Sequence, residues 1–384
     1  MAFRPGVRGL RLLWLGPWHS DEALFGRRAV NQAATQWSRG LLRGLDAAGC
    51  TIRVCTHCRE QYWPGGELLP GRKADFDASY PVRAGRYLNV PLARDRSLRT
   101  LYRRLVREEI RAFRPDIVFG YNLASYHRAA VPLLAEAGIR WVPIILDQDD
   151  PAADGWTTFT CQSRGAAGLV FLSHWGYVNC PLSVPRLHLD GGVDRWRDEG
   201  GSEAGDRWVV YSGKYDDQYG GLDLLFEMFA RVRTPGCRFI LTGKDPKERL
   251  AVYLRQEPRA EYRGFLAEDA LHALHLRASV FVNPRPPTVS DNRMTFPSKL
   301  LHYLAYGKPV VSTWTDGLSP EYREWLLVPQ QPTAEGYAAL IDRALTTEYG
   351  GERLQSQRDW VLRTRTWERQ AERLLAWCGE MAIP

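Results

Sequence analysis

The chain has 384 residues, 45% hydrophobic and 25% charged, with a formal net charge of +7. Those fractions exclude global disorder and a collagen-like repeat, and the length suggests two or three domains, each able to bury a core. No run of about 18 apolar residues is present, so no membrane-spanning helix is expected; the first residues, apolar too briefly to span and lacking a small-residue cleavage site, read as mature sequence of a cytoplasmic protein.

Apolar runs expected to form strands recur at 10–15, 51–55, 116–120, 141–146 and 168–173, then at 208–212, 238–242, 279–283 and 309–313. Helical patterns lie between them at 27–48, 99–113, 129–137, 222–232, 267–278, 297–306 and 333–346. Short buried strands alternating with helices predict an α/β fold of parallel sheets with crossover helices. Residues 194–206 are polar, Gly-rich and aperiodic, as a linker would be, so two doubly wound domains are expected. Ligands of such sheets bind beyond the carboxyl ends of the strands, and two facing sheets would place the site in the interdomain cleft.

Cys55 and Cys58 form one CxxC at the end of an expected strand, with Cys50 nearby. One such pair is a weak metal or redox signal, and ordinary packing is the simpler reading. The charge is uneven: residues 1–205 carry 27 Lys and Arg against 21 Asp and Glu, whereas residues 206–384 carry 24 against 23. The excess is densest over 94–114, where Leu98, Leu101, Leu105 and Ile110 would line one helix face. A helix over 96–114 is either a solvated domain helix or a peripheral contact with anionic lipid at the inner membrane face. No nucleic-acid motif accompanies the charge, so nucleic-acid binding is not expected.

In the second half, strand 208–212 runs into Gly213-Lys214 and strand 238–242 into Gly243-Lys244. Glycine permits close backbone approach and lysine supplies a point charge for phosphate. A third element is Thr295-Phe296-Pro297-Ser298-Lys299, where Pro297 suits a first helical turn whose amides favour an anion. Each signal alone reads as a turn with a surface lysine; three at equivalent strand ends suggest a diphosphate cradle.

These stretches together resemble the retaining, nucleotide-sugar-dependent glycosyltransferases of family 4, with the GT-B fold of two facing Rossmann-like domains. The resemblance runs through 209–214, 220–225, 239–243, 262–265, 278–284 and, most specifically, 296–311. It implies an N-terminal acceptor-side domain over 1–195, a linker over 196–206 and a nucleotide-sugar-binding domain over 207–362. The last segment, 363–384, would be a helix crossing back to the N-terminal domain. It also implies a UDP- or GDP-sugar co-substrate, no obligatory cofactor or metal, and a carbohydrate, lipid-linked or natural-product acceptor.

Two departures stand out. The family's paired glutamates fall on Met294 and His302, a loss shared by a Phe-Pro-Ser-Lys subgroup. His302 keeps one donor and one acceptor for the ribose, and Asp291, Asn292 or Arg293 would have to meet the sugar. The basic pair on the diphosphate falls on Lys214 and Tyr219, leaving Lys299 and Lys244 as replacements. The resemblance assigns donor contacts to Gly26, Ser212, Gly213, Lys214, Gly243, Lys244, Gly264, Phe265, Phe296, Pro297, Ser298, Lys299 and His302. Lys214 and Lys299 would stabilise the leaving diphosphate.

In the first half, the loop after strand 10–15 carries His19 and leads to Gly26, strand 116–120 leads to Tyr121-Asn122, and His127 follows. These form the expected acceptor side. Asp147 and Asp149, after strand 141–146, are the catalytic candidates, orienting the acceptor hydroxyl or stabilising positive charge on the sugar. Their Asp-Gln-Asp pattern is also that of a metal-binding turn, or of a plain polar turn. The expected activity is retaining glycosyl transfer by a hexosyltransferase-type enzyme; the alternatives are a sugar-nucleotide epimerase and a non-catalytic nucleotide-sugar binder or partner.

Overall fold

The computed structural model describes residues 9–26, 29–147, 149, 151–195, 207–215, 221–245, 248–285, 293–347 and 351–381. The chain divides into two compact units, one of residues 1–192 and 367–384, the other of residues 193–366. The expected linker over 196–206 lies outside the described residues.

The first unit is built on a seven-stranded parallel sheet in the order β3-β2-β1-β4-β5-β6-β7. The strands are β1 (Arg11–Leu15), β2 (Thr51–Thr56), β3 (Val82–Ala84), β4 (Ile117–Tyr121), β5 (Arg140–Ile145), β6 (Leu169–Phe171) and β7 (Arg186–His188). Its helices are α1 (Asp21–Gly26), α2 (Gln32–Ala47), α3 (Arg94–Ala112), α4 (Ser125–Arg128), α5 (Val131–Glu136), α6 (Thr157–Gln162) and α7 (His174–Asn179).

The second unit carries a five-stranded parallel sheet in the order β10-β9-β8-β11-β12. Its strands are β8 (Trp208–Ser212), β9 (Arg238–Thr242), β10 (Ala260–Tyr262), β11 (Val280–Asn283) and β12 (Val310–Ser312). Its helices are α8 (Leu222–Ala230), α9 (Leu250–Gln256), α10 (Glu268–Leu276), α11 (Lys299–Ala305), α12 (Ala334–Thr346) and α13 (Gly351–Thr364). The chain then returns to the first unit as α14 (Trp367–Glu380).

The interior strands are apolar along their whole length because both faces of a parallel sheet are covered. Leu12 to Leu15, Val209 to Tyr211 and Val280 to Val282 are all 1% exposed or less. Three strands not expected from the sequence, β3, β7 and β10, all lie at sheet edges and are half-buried throughout. Half-burial removes the apolar run that marks an interior strand. The helix expected over 27–48 starts at Gln32 instead, because Asn31 caps it by accepting the Ala34 amide at 3.2 Å. The helix expected over 129–137 is α5, over Val131–Glu136 with Pro132 in its first turn, and the short α4 precedes it. Cys50, Cys55 and Cys58 are buried and in no disulfide, and burial pushes Cys55 well above its ordinary range, so they serve as packing.

Helix α14 completes the first unit through Trp367. Its indole lies against Gly40 on α2 and against Gly192, while its backbone carbonyl lies against Gly44, one turn further along α2. A Cβ at Gly40 would strike the indole ring, and one at Gly44 the Trp367 carbonyl. Trp37 meets the same indole edge-on, with ring centroids 5.7 Å apart. Further along, Gln370 donates to Asp190 Oδ1 at 3.1 Å and to the Gly191 carbonyl, while Leu374 and Leu375 are fully buried. Trp367→Ala should therefore cost about 3–5 kcal/mol of stability, and Gly40→Ala about 1–3 kcal/mol through overpacking. Urea unfolding measures both; a loss within about 0.5 kcal/mol, typical of a surface change, would contradict this packing.

Candidate functional site

In each sheet the strand order reverses once, between β1 and β4 and between β8 and β11. Open α/β sheets bind ligands beyond the carboxyl ends of strands at such a reversal. In the second unit this end is built from Ser212-Gly213-Lys214, Thr242-Gly243-Lys244 and Gly264-Phe265, with the start of α11.

The loops after β8, β9 and β10 are tied in series. The Gly213 amide donates to the Thr242 carbonyl at 2.9 Å, and the Gly243 amide to the Gly264 carbonyl at 3.0 Å. Thr242 Oγ1 donates to the same Gly264 carbonyl at 2.7 Å. Gly243 has φ of +133° and a Cβ there would overlap the Gly213 carbonyl, so only glycine fits. A Cβ at Gly213 would in turn collide with Lys299 Nζ, which sits 4.1 Å from the Tyr211 ring centroid. Lys244 Nζ lies 4.9 Å from the Phe265 ring centroid, and burial holds its ammonium below the ordinary lysine range. Lys214 is exposed, and its carbonyl accepts the Tyr211 hydroxyl at 2.9 Å. Two lysines on aromatic faces and one exposed lysine thus surround a glycine-lined strand end.

Several supporting residues carry no spacing signal in the sequence. The Tyr303 hydroxyl accepts the Ser212 amide at 2.8 Å, fixing α11 against β8. Ser212 Oγ meets His275 Nε2 at 2.7 Å, so the serine hydroxyl expected for the donor is engaged with a buried ring. Tyr262 donates to the Gly243 carbonyl at 2.6 Å and Tyr215 to the Thr242 carbonyl at 2.9 Å. Buried Arg285, just after β11, donates to Thr295 Oγ1 at 2.9 Å.

The Phe-Pro-Ser-Lys segment differs in detail from expectation. Pro297 precedes the N-cap Ser298 rather than occupying the first turn, and the Ser298 side chain makes no cap bond. The Leu300 amide already donates to the Pro297 carbonyl at 2.9 Å. The helix start therefore offers less to an anion than its sequence suggests, and Lys299's side chain carries the charge. Phe296 is buried against Tyr322, with ring centroids 5.6 Å apart, and Pro297 is buried beside it. Met294 is fully buried, so the position of the family's first glutamate is a core position here. His302 is half-buried and burial holds it neutral, with the Asp194 carboxylate acting against that shift. Tyr219, Asp291 and Asn292 lie outside the described residues.

In the first unit, Asn122 follows β4 with φ of +56°. Its Oδ1 accepts the Leu146 amide at 2.7 Å and the Asp147 amide at 3.2 Å, and so fixes the loop carrying Asp147. Asp147 and Asp149 are both exposed; Gln148 and Asp150 are outside the described residues. Tyr121 is half-buried, and Asp147 is near enough to help hold its hydroxyl protonated, after burial as the larger cause. His19 is buried, 3.1 Å from Thr35 Oγ1 through Nδ1. His127 is buried between Tyr102 and Tyr126, with centroids 4.9 and 4.7 Å away. Both histidines are wall residues, Tyr121 packs edge-on against Trp14 at 6.4 Å, and only the two aspartates of this group are exposed. Gly26 ends α1. A feature the sequence did not mark is Trp156, which holds φ of +67° and stacks on Trp175 at 5.6 Å beyond β5 and β6. Among the described residues, no group of three or more His, Cys, Asp or Glu is placed to hold a metal ion.

The fold is that of the GT-B glycosyltransferases, two parallel-sheet α/β units with Rossmann-like order. Residues 206–347 match the family described as Glycosyl transferases group 1. Sucrose-phosphate synthase from Thermosynechococcus elongatus aligns over 97% of this chain and 99% of its own, at 14% identity and a TM-score of 0.65. HepE of Anabaena, in complex with UDP, aligns over 97% and 100%, at 13% identity and a TM-score of 0.67. A protein described as a UDP-N-acetylglucosamine 2-epimerase from Listeria monocytogenes aligns over 97% and 96%, at 12% identity and a TM-score of 0.60. No curated protein sequence matches the chain.

Two predictions follow from this geometry. Gly243→Ala should abolish nucleotide binding measured by titration calorimetry, because φ and the Gly213 carbonyl both forbid a Cβ; unchanged affinity would contradict the strand-end site. Burial pushes His127 and His275 down to about 3, so both rings are neutral when folded. The unfolded rings take a proton near pH 6.5. Stability is thus fully present above about pH 6.5 and falls toward pH 3 by about 1.4 kcal/mol per pH unit for each ring. Urea midpoints followed against pH should show a shallower acid slope for His127→Phe than for the parent; equal slopes would contradict the assignment.

Proposed function

We propose that the chain is a retaining glycosyltransferase that moves a sugar from a nucleoside-diphosphate sugar, UDP- or GDP-linked, to an acceptor hydroxyl. The observation that carries this reading is the meeting of Gly213, Gly243 and Lys299 at one strand end, where glycine leaves room for phosphate and lysine neutralises it. Lys299 and Lys214 stabilise the charge that develops on the departing diphosphate, in the manner of preorganised donors at a developing anion. Lys244 gives a third cation, with Phe265 and Gly264 meeting the base and His302 the ribose. Lysines rather than a metal ion meet the diphosphate in this scheme. The similarity to HepE, whose structure holds UDP, supports the choice of ligand.

On the acceptor side, Asp147 and Asp149 are exposed beyond β5, with Asn122 fixing the loop. We assign them to orienting the acceptor hydroxyl and stabilising positive charge on the sugar. The departing phosphate takes the acceptor proton on the same face, so no separate base is needed. Epimerisation on this fold calls for carboxylates in the donor site. Met294 is fully buried and His302 neutral, which favours transfer.

The test is release of nucleoside diphosphate across a panel of nucleotide sugars and acceptors. Lys299→Ala should lower kcat by about 10²-fold or more, the usual cost of one oxyanion donor, at unchanged melting temperature. Unchanged turnover rejects the role of Lys299. Tight nucleotide binding without turnover on any pair rejects the enzyme and leaves a nucleotide-sugar binder.

A further inference from the structure

The helix over 94–112 does not have a free apolar face. Leu98, Leu101, Tyr102, Leu105 and Val106 are buried against the first unit, and Glu109, 1% exposed, bridges to Arg53 at 3.1 Å and to Arg83. What α3 presents outward is mostly arginine: Arg96, Arg99, Arg103, Arg104 and Arg107 are all exposed, with Arg99 paired to Asp95 at 2.7 Å and Arg104 to Glu108 at 4.0 Å. The exposed apolar surface lies next to it, on the excursion of residues 57–93 between β2 and α3. Among the described residues, nine large hydrophobic side chains are strongly exposed, and six of them fall here: Tyr62, Trp63, Leu68, Leu69, Leu88 and Leu92. Single exposed hydrophobics need no explanation, but a group of them does.

The group is held together by one buried amide. Asn89, fully buried, receives the Trp63 amide on its carbonyl at 3.0 Å and donates its own amide to the Leu68 carbonyl at 2.9 Å. Its side chain donates to the carbonyls of Gln61 and Glu67. Trp63, Leu68 and Leu88 are thus each within one bond of the same residue. The excursion is joined to α3 by the Leu88 amide on Ser97 Oγ at 2.9 Å and by the Arg94 guanidinium 4.5 Å from the Tyr62 ring centroid. Leu92 is the most telling member. It is fully exposed at 103% and holds φ of +68°, a conformation that costs a bulky L-residue, at the centre of a turn closed by the Ala93 amide on the Pro91 carbonyl and the Arg94 amide on the Val90 carbonyl.

We infer that residues 57–93 and the outer face of α3 form a docking surface for an anionic bilayer. The chemistry is complementary on both counts. Residues 57–112 hold twelve Lys and Arg against seven Asp and Glu, most of the net charge of the chain, and such clusters are drawn to anionic headgroups. Trp63 and Tyr62 have the amphipathic rings that settle at the headgroup level, with Leu68, Leu69, Leu88 and Leu92 to enter the acyl boundary. The surface reassigns membrane contact from α3 alone, whose apolar stripe is occupied, to the excursion before it. It is independent of the sugar-transfer reading.

Flotation with vesicles tests this without any assay of transfer. The full chain should bind vesicles of phosphatidylcholine mixed with phosphatidylglycerol, weakly or not at all bind phosphatidylcholine alone, and release as salt rises. Leu92→Gly and Trp63→Ser should each reduce binding, and Leu92→Gly should do so with a melting temperature equal to or above the parent's, because glycine suits φ of +68°. Arg99→Gln with Arg103→Gln should weaken binding roughly fivefold per arginine. Failure of the parent to bind anionic vesicles, or undiminished binding by Leu92→Gly and Trp63→Ser, overturns the proposal. So does lipid-free self-association of the parent that Leu92→Gly abolishes, which would assign the surface to a second copy.

Discussion

The second unit depends on how close two strand ends come. Gly213 and Gly243 approach until the second cannot carry a Cβ, which would overlap the carbonyl of the first, and a Cβ on the first would have to displace Lys299 Nζ. That approach sets where the backbone amides and the lysine ammonium stand. It is locked from outside by tyrosines, with Tyr262 on the Gly243 carbonyl, Tyr215 on the Thr242 carbonyl and Tyr303 on Ser212. Tyr262 and Tyr303 satisfy backbone groups that a loop so compressed would leave orphaned, and a buried orphan is costly, while Tyr215 adds a second donor to a carbonyl that already accepts the Gly213 amide. Lys299 then stands on the Tyr211 ring, a cation kept beside apolar surface where an arriving diphosphate would gain more from it than in water.

The first unit solves a different problem, that of ending its core with a segment far away in sequence. Gly40 on α2 and Gly192 on the facing side leave room for the Trp367 indole, and Gly44 leaves room for its backbone carbonyl. The sheet end above is shaped by Asn122, whose αL backbone and amide oxygen together set the Asp147 loop. Asparagine tolerates that conformation better than most side chains. The buried imidazoles of His19 and His127 line this end rather than reach out of it.

Interior strands were legible because burial on both faces writes a continuous apolar run, as in Val209 to Tyr211. Edge strands such as β3 and β10 were not, since three half-buried residues carry no run and no alternation. The same contrast holds for the site. Gly213, Gly243 and Lys299 were visible one by one, each as a residue type at a strand or helix end. Their mutual contact was not, because it depends on strand order. Tyr211, Tyr303 and His275 were invisible for a related reason: a hydrogen bond across 91 residues, as from Ser212 to Tyr303, leaves no local pattern. The α3 stripe shows the converse case, where a correct helical period did not reveal that its partner was the core and not a membrane.

The decisive measurement is a structure of the chain with a nucleoside diphosphate bound. Phosphate oxygens should lie within hydrogen-bond reach of Lys299 Nζ, over the Gly213 and Gly243 backbone. A diphosphate bound at any other strand end, with Lys299 still resting on Tyr211 and touching no phosphate, would contradict that placement.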